Sequence, residues 1–421
     1  MEWIILLVMV VFLVMGFPMM IPLIAGSMVL VFFFINADPF ILIQQMRSGI
    51  VPYALLAVPL FIFAADIMST GKTSNRLVDF VGAFIGHIRG GYAITTAAAC
   101  TLFGSISGST QATVVAVGTP MRQRLLKLGY KDSSAIALII NASDIALLIP
   151  PSIGMIIYAL VADASVGDLF IAGIGPGLLI FLFFAIYAYI HARLFNIPLV
   201  EKTSWKDRLT FTRKAILPLG FPIIIVGGIY TGAFSPTEAA GISVLYAFLL
   251  EVVIYRSIKI TNLPKIAMSS GLVTSAVFIL VASGQAFSYA INRAQIPQTL
   301  TSAVLGPDPT ALTVLFIVAI FFFIGCMFVD PIVVILILTP IFAPVATAAG
   351  VDPIHLGVVI VFQAALGSAT PPFGVDIFTA SAVFNKSYLD VIKGTPPYII
   401  MLIIVGILVI LFEDISLFLI R

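Results

Sequence analysis

Two pairs of adjacent prolines, Pro150-Pro151 and Pro371-Pro372, interrupt segments that are otherwise apolar enough to sit in hydrocarbon: "ASDIALLIPPSIGMIIYAL" (142–160) and "LGSATPPFGVDIFTAS" (366–381). Proline has no backbone N–H and clashes with the carbonyl one turn back, so a pair of them breaks a helix. In lipid the freed carbonyls find no water, and leaving each unsatisfied costs roughly several kcal/mol. A chain with two such breaks must therefore cover them with protein or put them to use.

The surrounding composition is that of a membrane protein. Of 421 residues, 61% are hydrophobic and only 10% charged, and the mean hydropathy is +1.18; a soluble chain carries about 25% charged residues. The expected class is an all-α polytopic membrane protein. A net charge of +2, with no basic run interleaved with aromatics, argues against a nucleic-acid partner. Cys100 and Cys326 lie in apolar segments and make no disulfide framework, and His87, His191 and His355 have no metal-ligand spacing. "MEWIILLVMVVFLVMG" lacks a basic leader and an A-x-A site, and is expected to be a retained first span. No G-x-x-x-x-G-K-[ST], H-E-x-x-H or G-x-S-x-G motif is present, so the sequence points away from enzymes and from an ATP-cradling P-loop.

Apolar segments of spanning length fall at about 50–70, 168–192, 215–232, 237–255, 267–291 and 395–418, with two short spans divided near Gly16-Phe17-Pro18 before them. The stretches 90–124 and 309–347 are too long for one span and are split by "GSISGSTQ" and "GCMFVDP", which reads as two re-entrant helical hairpins. The proline-broken segments, 132–161 and 354–383, follow them. This order is a repeat. Gly16-Phe17-Pro18 recurs as Gly220-Phe221-Pro222, Thr119-Pro120 as Thr339-Pro340, Pro150-Pro151 as Pro371-Pro372, and Pro176 as Pro396. The expected division is a first repeat over 1–200, a linker over 201–214 containing an amphipathic surface helix, and a second repeat over 215–421. Paired breaks at matching positions are the sequence pointer to a transporter binding site.

Charge placement supports an orientation. With the N-terminus outside and each hairpin returning to the side it entered from, 18 of the 21 lysines and arginines fall in cytoplasmic loops, and only Arg47, Arg293 and Arg421 lie outside. The second repeat then starts on the opposite side from the first, so the two are inverted.

The breaks also suggest the chemistry. A broken helix offers unpaired carbonyls at one half-helix end and unpaired N–H groups at the next. The carbonyls suit a hard cation; the positive N-terminal end suits an anion. A hairpin tip set against the break adds Ser105, Ser107, Ser109 and Thr110. One Pro-Pro alone is as readily a packing kink, and "GSISGST" alone is more readily a close helix contact; their repetition together favours a cation site beside a solute site. Asp330, followed by Pro331, reads both as an N-cap and as a polar group at a hairpin tip. Asp144 and Asp376 sit near the breaks, where an ionisable residue is a functional candidate. Glu238, in "SPTE", reads as part of a capping box.

"GSISGST", "IPPSIGMIIY", "GCMFVDPIVVILILTPIF" and "TPPFGVDIF" occur in an order that resembles the large membrane subunit of tripartite ATP-independent periplasmic (TRAP) transporters. The resemblance covers nearly the whole chain. It implies sodium-driven, elevator-type uptake of an organic acid across the bacterial inner membrane, with an N-terminus in the periplasm. It also implies two partners: a soluble periplasmic binding protein and a small four-helix membrane subunit. At least two sodium ions are implied, one per repeat. The first would use Ser107 and Ser109 with the carbonyls of Ala146, Ile149 and Pro151; the second would use Gly325, Gly367, Thr370 and Pro372. Solute would bind near Ser109 and Asp330, with Asp376 a further candidate. Many members have Asn where this chain has Asp376, and the wording of that region resembles the sialic-acid branch. Sialic acid is thus the expected solute, with a C4-dicarboxylate next. The alternatives are a stand-alone sodium–dicarboxylate carrier, a channel and a membrane-embedded enzyme.

Overall fold

The computed structural model describes residues 2–306 and 309–421, and among the described residues it is helical, with no strand. The first half runs α1 (Glu2–Val14), α2 (Met20–Leu30), α3 (Phe40–Ile50), α4 (Ala57–Thr70), α5 (Thr73–Ile85), α6 (Gly91–Ser107), α7 (Thr110–Lys127), α8 (Asp132–Ser143), α9 (Ile153–Ala162), α10 (Val166–Ala172) and α11 (Ile174–Leu194). The second half runs α12 (Trp205–Tyr230), α13 (Pro236–Phe248), α14 (Leu263–Arg293), α15 (Ile296–Leu305), α16 (Ala311–Phe328), α17 (Pro331–Ala348), α18 (Pro353–Ser368), α19 (Val375–Phe384), α20 (Tyr388–Ile392), α21 (Pro396–Leu411) and α22 (Asp414–Leu417). Helices α6 to α11 recur as α16 to α21, each starting 220 to 222 residues later.

Two layers of packing emerge. Helices α1 to α4 and α12 to α14 pack on one another as a frame, in pairs such as α4 with α13 and α3 with α14. The hairpins α6–α7 and α16–α17 and the broken helices α8–α9 and α18–α19 form the core beside it, and α14 touches α17 across the junction. At 31 residues, α14 is about 46 Å long, longer than a hydrocarbon core of roughly 30 Å. Within the core the repeats exchange partners: α9 packs on α17, and α19 packs on α7. This cross-pairing is what two inverted repeats produce when they close on each other.

Several polar side chains inside these apolar helices are satisfied locally. Thr95, Thr96, Thr101, Ser143 and Ser283 each donate to the carbonyl four residues back, which spares a lone hydroxyl the cost of burial without a partner. The Ser235/Glu238 capping box is present with Pro236 at the first helical position.

The structure departs from the sequence expectation in two places. Residues 205–214 are the opening turns of the 26-residue α12, not a separate surface helix; Ser204 caps that helix through the Asp207 amide at 3.2 Å, and nothing stops it before the span. The apolar stretch 395–418 does not form one helix, because α21 ends after 16 residues at Leu411 and the charged Glu413 and Asp414 start a short turn of helix.

Candidate functional site

The tip of the first hairpin is a two-residue turn. Gly108 adopts a left-handed conformation (φ 60°) and Ser109 caps α7, accepting the Ala112 amide at 3.4 Å. The tip lies against the first break: a side chain at Gly108 would run into the Pro151 carbonyl oxygen, and one at Gly104 would meet the Ala146 Cα at 2.7 Å. Only glycine permits this approach, since it lacks a Cβ and tolerates positive φ. Ser107 Oγ lies 3.1 Å from Thr113 Oγ1 and 3.3 Å from the Ser109 carbonyl. Ser107, Ala146, Ile149 and Pro151 are buried and Ser109 is half-buried. No hydrogen bond reaches the carbonyls of Ile149 or Pro151 among the described residues, and both residues lie outside the flanking helices. The hairpin tip carrying Ser107 and Ser109 thus lies against Ala146 and Pro151, a cradle of neutral oxygens, with Ile149 on the same break.

The second break is built likewise but is more occupied by its own bonds. A side chain at Gly367 would collide with Cys326, and the Phe373 amide donates to the Met327 carbonyl at 3.1 Å, so the second hairpin sits on this break. Here, however, the Gly325 carbonyl accepts from the Val329 amide at 3.0 Å, that of Gly367 from Thr370 at 3.1 Å, and that of Thr370 from Gly374 at 3.2 Å. The Pro372 carbonyl accepts from Tyr388 Oη at 2.8 Å. Each carbonyl keeps a second lone pair, so a cation ligand set remains open, but the two cradles are not equivalent. Both Pro150-Pro151 and Pro371-Pro372 are cis. Among the described residues no group of three or more His, Cys, Asp or Glu is placed to hold a metal ion, so a cation held at the breaks would be one that accepts neutral oxygens.

Between the two hairpin tips lies a cavity of about 230 Å³. Ser109, Thr110 and Gln111 line it from the first tip, and Asp330, Pro331 and Ile332 from the second. Ile62 of α4 and Val273, Val277 and Leu280 of α14 close it from the frame. Asp330 caps α17, accepting the Ile332 amide at 2.9 Å, so its two expected roles coincide. No lysine, arginine or histidine lines the cavity among the described residues.

Asp376 lies elsewhere. It is fully buried outside the cavity lining, one oxygen accepting from Thr110 Oγ1 and the other from Ser368 Oγ, both at 2.8 Å. Asp144, also fully buried, approaches the same Ser368 hydroxyl at 3.4 Å. Ser368 was not singled out in the sequence, although it is a polar residue just ahead of the second break. Glu251 was passed over as well. It is fully buried, and its carboxylate accepts from the amides of Lys72 and Thr73, from Thr73 Oγ1 and from Ser257 Oγ. A lone acidic residue inside "LLEVVI" was the available signal.

Hairpins laid on broken helices, a cavity between their tips and a separate frame define a membrane transporter. The same fold is seen in the crystal structure of the Alcanivorax borkumensis YdaH transporter, at 15% identity and a TM-score of 0.64, covering 90% of this chain and 89% of that one. More specifically, residues 6–415 match the family described as tripartite ATP-independent periplasmic transporter, DctM component, and the chain belongs to that family. It is 57% identical to the ectoine/5-hydroxyectoine TRAP transporter large permease protein of Ruegeria pomeroyi, over 98% of this chain and 97% of that one. It is 58% identical to the ectoine TRAP transporter large permease protein of Halomonas elongata, over 97% and 96%. Membership makes the chain a multi-pass permease subunit of the bacterial inner membrane, not an enzyme, and implies a small membrane subunit and a periplasmic binding protein as partners.

The sialic-acid expectation does not gain support. The sialic acid TRAP transporter large permease protein of Vibrio cholerae is 31% identical over 89% of this chain and 88% of that one, well below the two ectoine relatives. The physical reason lies in Asp376, on which the expectation leaned: its carboxylate is held by Thr110 and Ser368, outside the solute cavity.

Proposed function

We propose that this chain is the permease subunit of a sodium-coupled TRAP system that takes up a small zwitterion of the ectoine class. The observation that carries the solute assignment is the cavity between the hairpin tips, which presents one carboxylate, Asp330, and no basic side chain. A dicarboxylate or sialate would meet a like charge there with no basic side chain to offset it. Ectoine is a single ring bearing an amidinium and a carboxylate, and it suits both ends. The amidinium pairs with Asp330, a charge-assisted contact, and the carboxylate faces the N-terminal turn of α7 at Ser109–Gln111, where the helix dipole favours an anion. The cavity is smaller than the roughly 300–1,000 Å³ of drug-sized sites, which also favours a small solute. The names of the two relatives above point the same way.

Sodium enters at the two cradles, through Ser107, Ser109 and the carbonyls of the first break, and through Gly325, Gly367, Thr370 and Pro372 at the second. The hairpins and broken helices, in repeats taken as 1–200 and 215–421 about the 201–214 connection, move as a unit against the frame, and the N-terminus lies in the periplasm. Uptake of radiolabelled ectoine into proteoliposomes holding this chain and its small membrane partner tests the proposal. Uptake that needs both an inward sodium gradient and the cognate binding protein supports it. Uptake without the binding protein makes the chain a stand-alone carrier, and uptake of sialic acid or a C4-dicarboxylate in place of ectoine overturns the solute.

A further inference from the structure

The two broken helices meet at a point that neither sodium cradle uses. There Ser368 Oγ lies 2.8 Å from Asp376 Oδ2, 3.4 Å from Asp144 Oδ1 and 2.7 Å from the Ala365 carbonyl. All three neighbours are acceptors, and a serine hydroxyl has one hydrogen to give. The contact with Asp144 is longer than a well-made O–H···O bond of roughly 2.5–3.0 Å. Asp144 Oδ2, in a fully buried residue, has no partner at all. No lysine, arginine or histidine pairs with Asp144 or Asp376 among the described residues.

The positions of the two carboxylates make them unequal. Asp376 lies in the first turn of α19, at the positive end of a half-helix, with the Thr110 hydroxyl donating to one oxygen and Ser368 Oγ 2.8 Å from the other. Asp144 lies in the last turn of the first half-helix, which ends at Leu147, at the end where unpaired carbonyls and the dipole oppose a negative charge. One helical turn earlier on the same face, Asn141 is also fully buried with an oxygen that has no partner. Buried charges are paired or coordinate a cation, and here hard oxygens converge with nothing positive among them.

We propose that Asp144, Ser368 and Asp376 hold a third alkali cation of sodium's size, at the junction of the two repeats and separate from the cradles at the breaks. The cation balances the Asp144 carboxylate, occupies its unpartnered oxygen and frees the Ser368 hydrogen for the Ala365 carbonyl. Because Asp376 also accepts from Thr110 at the first hairpin tip, occupancy of this site sets the tip that lines the solute cavity.

The test counts sodium. The complex of this chain with its small membrane partner is equilibrated with radioactive sodium at saturating concentration, and bound ions per chain are measured for the unaltered protein, Asp144→Asn, Ser368→Ala and Ser107→Ala. Each of the first two variants is expected to bind one ion fewer than the unaltered chain, and Asp144→Asn combined with Ser107→Ala two fewer. Co-elution with the small partner on size exclusion confirms the fold; if Asp144→Asn fails to elute intact, Ser368→Ala decides. An unchanged count in the intact variants overturns the third site and leaves Asp144 a protonated acid. A count of zero in the unaltered complex overturns sodium coupling itself along with it.

Discussion

Thr110, the first residue of α7, donates a 2.8 Å hydrogen bond to Asp376, the second residue of α19. The two are 266 residues apart in sequence, and the bond fastens the tip of the first hairpin to the second broken helix. A solute resting on that tip would sit on a segment held by the opposite repeat, a coupling role that substitution at Thr110 tests.

Thr110→Val keeps the shape and removes the donor. A hydrogen bond to a charged group contributes about 1.5–3 kcal/mol, and each 1.4 kcal/mol is about tenfold in an equilibrium constant. Initial uptake by Thr110→Val is expected to fall roughly tenfold or more, with Thr110→Ser near the unaltered rate. Equal uptake by valine and threonine would remove the coupling role.

Much of this was legible in the sequence. The Pro-Pro pairs, the hairpins and the repeat could be read because proline at membrane depth has few permitted uses and because the repeat shows each landmark twice. Asp330 was legible because Asp-Pro signals a cap wherever it occurs. Ser368 and the frame residues Val273 and Val277 were not, because what matters about them is which distant segment they face, and an apolar helix carries no mark of the side that will line a cavity. Asp376 was legible as a buried functional candidate but not in its direction: its partners, Thr110 and Ser368, come from two other helices.

Gly108 is expected to tolerate no side chain. Its φ of 60° strains any L residue, at roughly 1–2 kcal/mol, and a Cβ there would strike the Pro151 carbonyl. Gly108→Ala should separate hairpin from break, abolishing sodium-dependent uptake while the chain still inserts and binds its membrane partner. Sodium dependence surviving in Gly108→Ala would show that the contact is not needed.

Glu251 clamps the α4–α5 connection from the second repeat, accepting the Lys72 amide at 3.1 Å, the Thr73 amide at 3.0 Å and Thr73 Oγ1 at 2.6 Å. Glu251→Gln places an NH2 donor against these donors. The thermal midpoint of the purified chain should drop, by the equivalent of about 2–3 kcal/mol for lost bonds to a charged group. Gly71→Ala should do the same, since its new methyl would overlap the Glu251 carboxylate. An unchanged midpoint in both variants would mean that the clamp is idle.

Beyond the apolar core, Asp132 meets Arg122 at 2.6 Å and Lys386 at 2.8 Å. Hydrogen bonding by Arg122, aided by Lys386, lowers its pKa from 3.8 to about 2. A carboxyl with a depressed folded-state pKa stabilises above its unfolded value, and that contribution is lost as pH falls through the folded one. The stability difference between the unaltered chain and Asp132→Asn should be constant from neutral pH down to about 4 and close between about 4 and about 2. Thermal unfolding across that range measures it; a gap that persists at the acid end would disconnect the ion triad from stability.

Asp330 separates solute binding from architecture more cleanly than any other residue. It caps α17 through the Ile332 amide, and asparagine caps as well as aspartate, so Asp330→Asn keeps the hairpin tip and removes only the charge. Losing one partner of a desolvated charge pair costs about 2 kcal/mol or more, a rise in KM for ectoine of roughly thirtyfold or greater, with the thermal midpoint unchanged. Asp330→Ala also loses the cap, so it should show the same transport defect together with about 1 kcal/mol of destabilisation. Ser107→Ala, by contrast, should lose sodium-dependent uptake without this charge-specific pattern. The expected signature is a solute preference that shifts: Asp330→Asn should discriminate less strongly against net-anionic solutes than the unaltered chain does. If ectoine uptake by Asp330→Asn matches the unaltered protein, the amidinium is recognised elsewhere in the cavity.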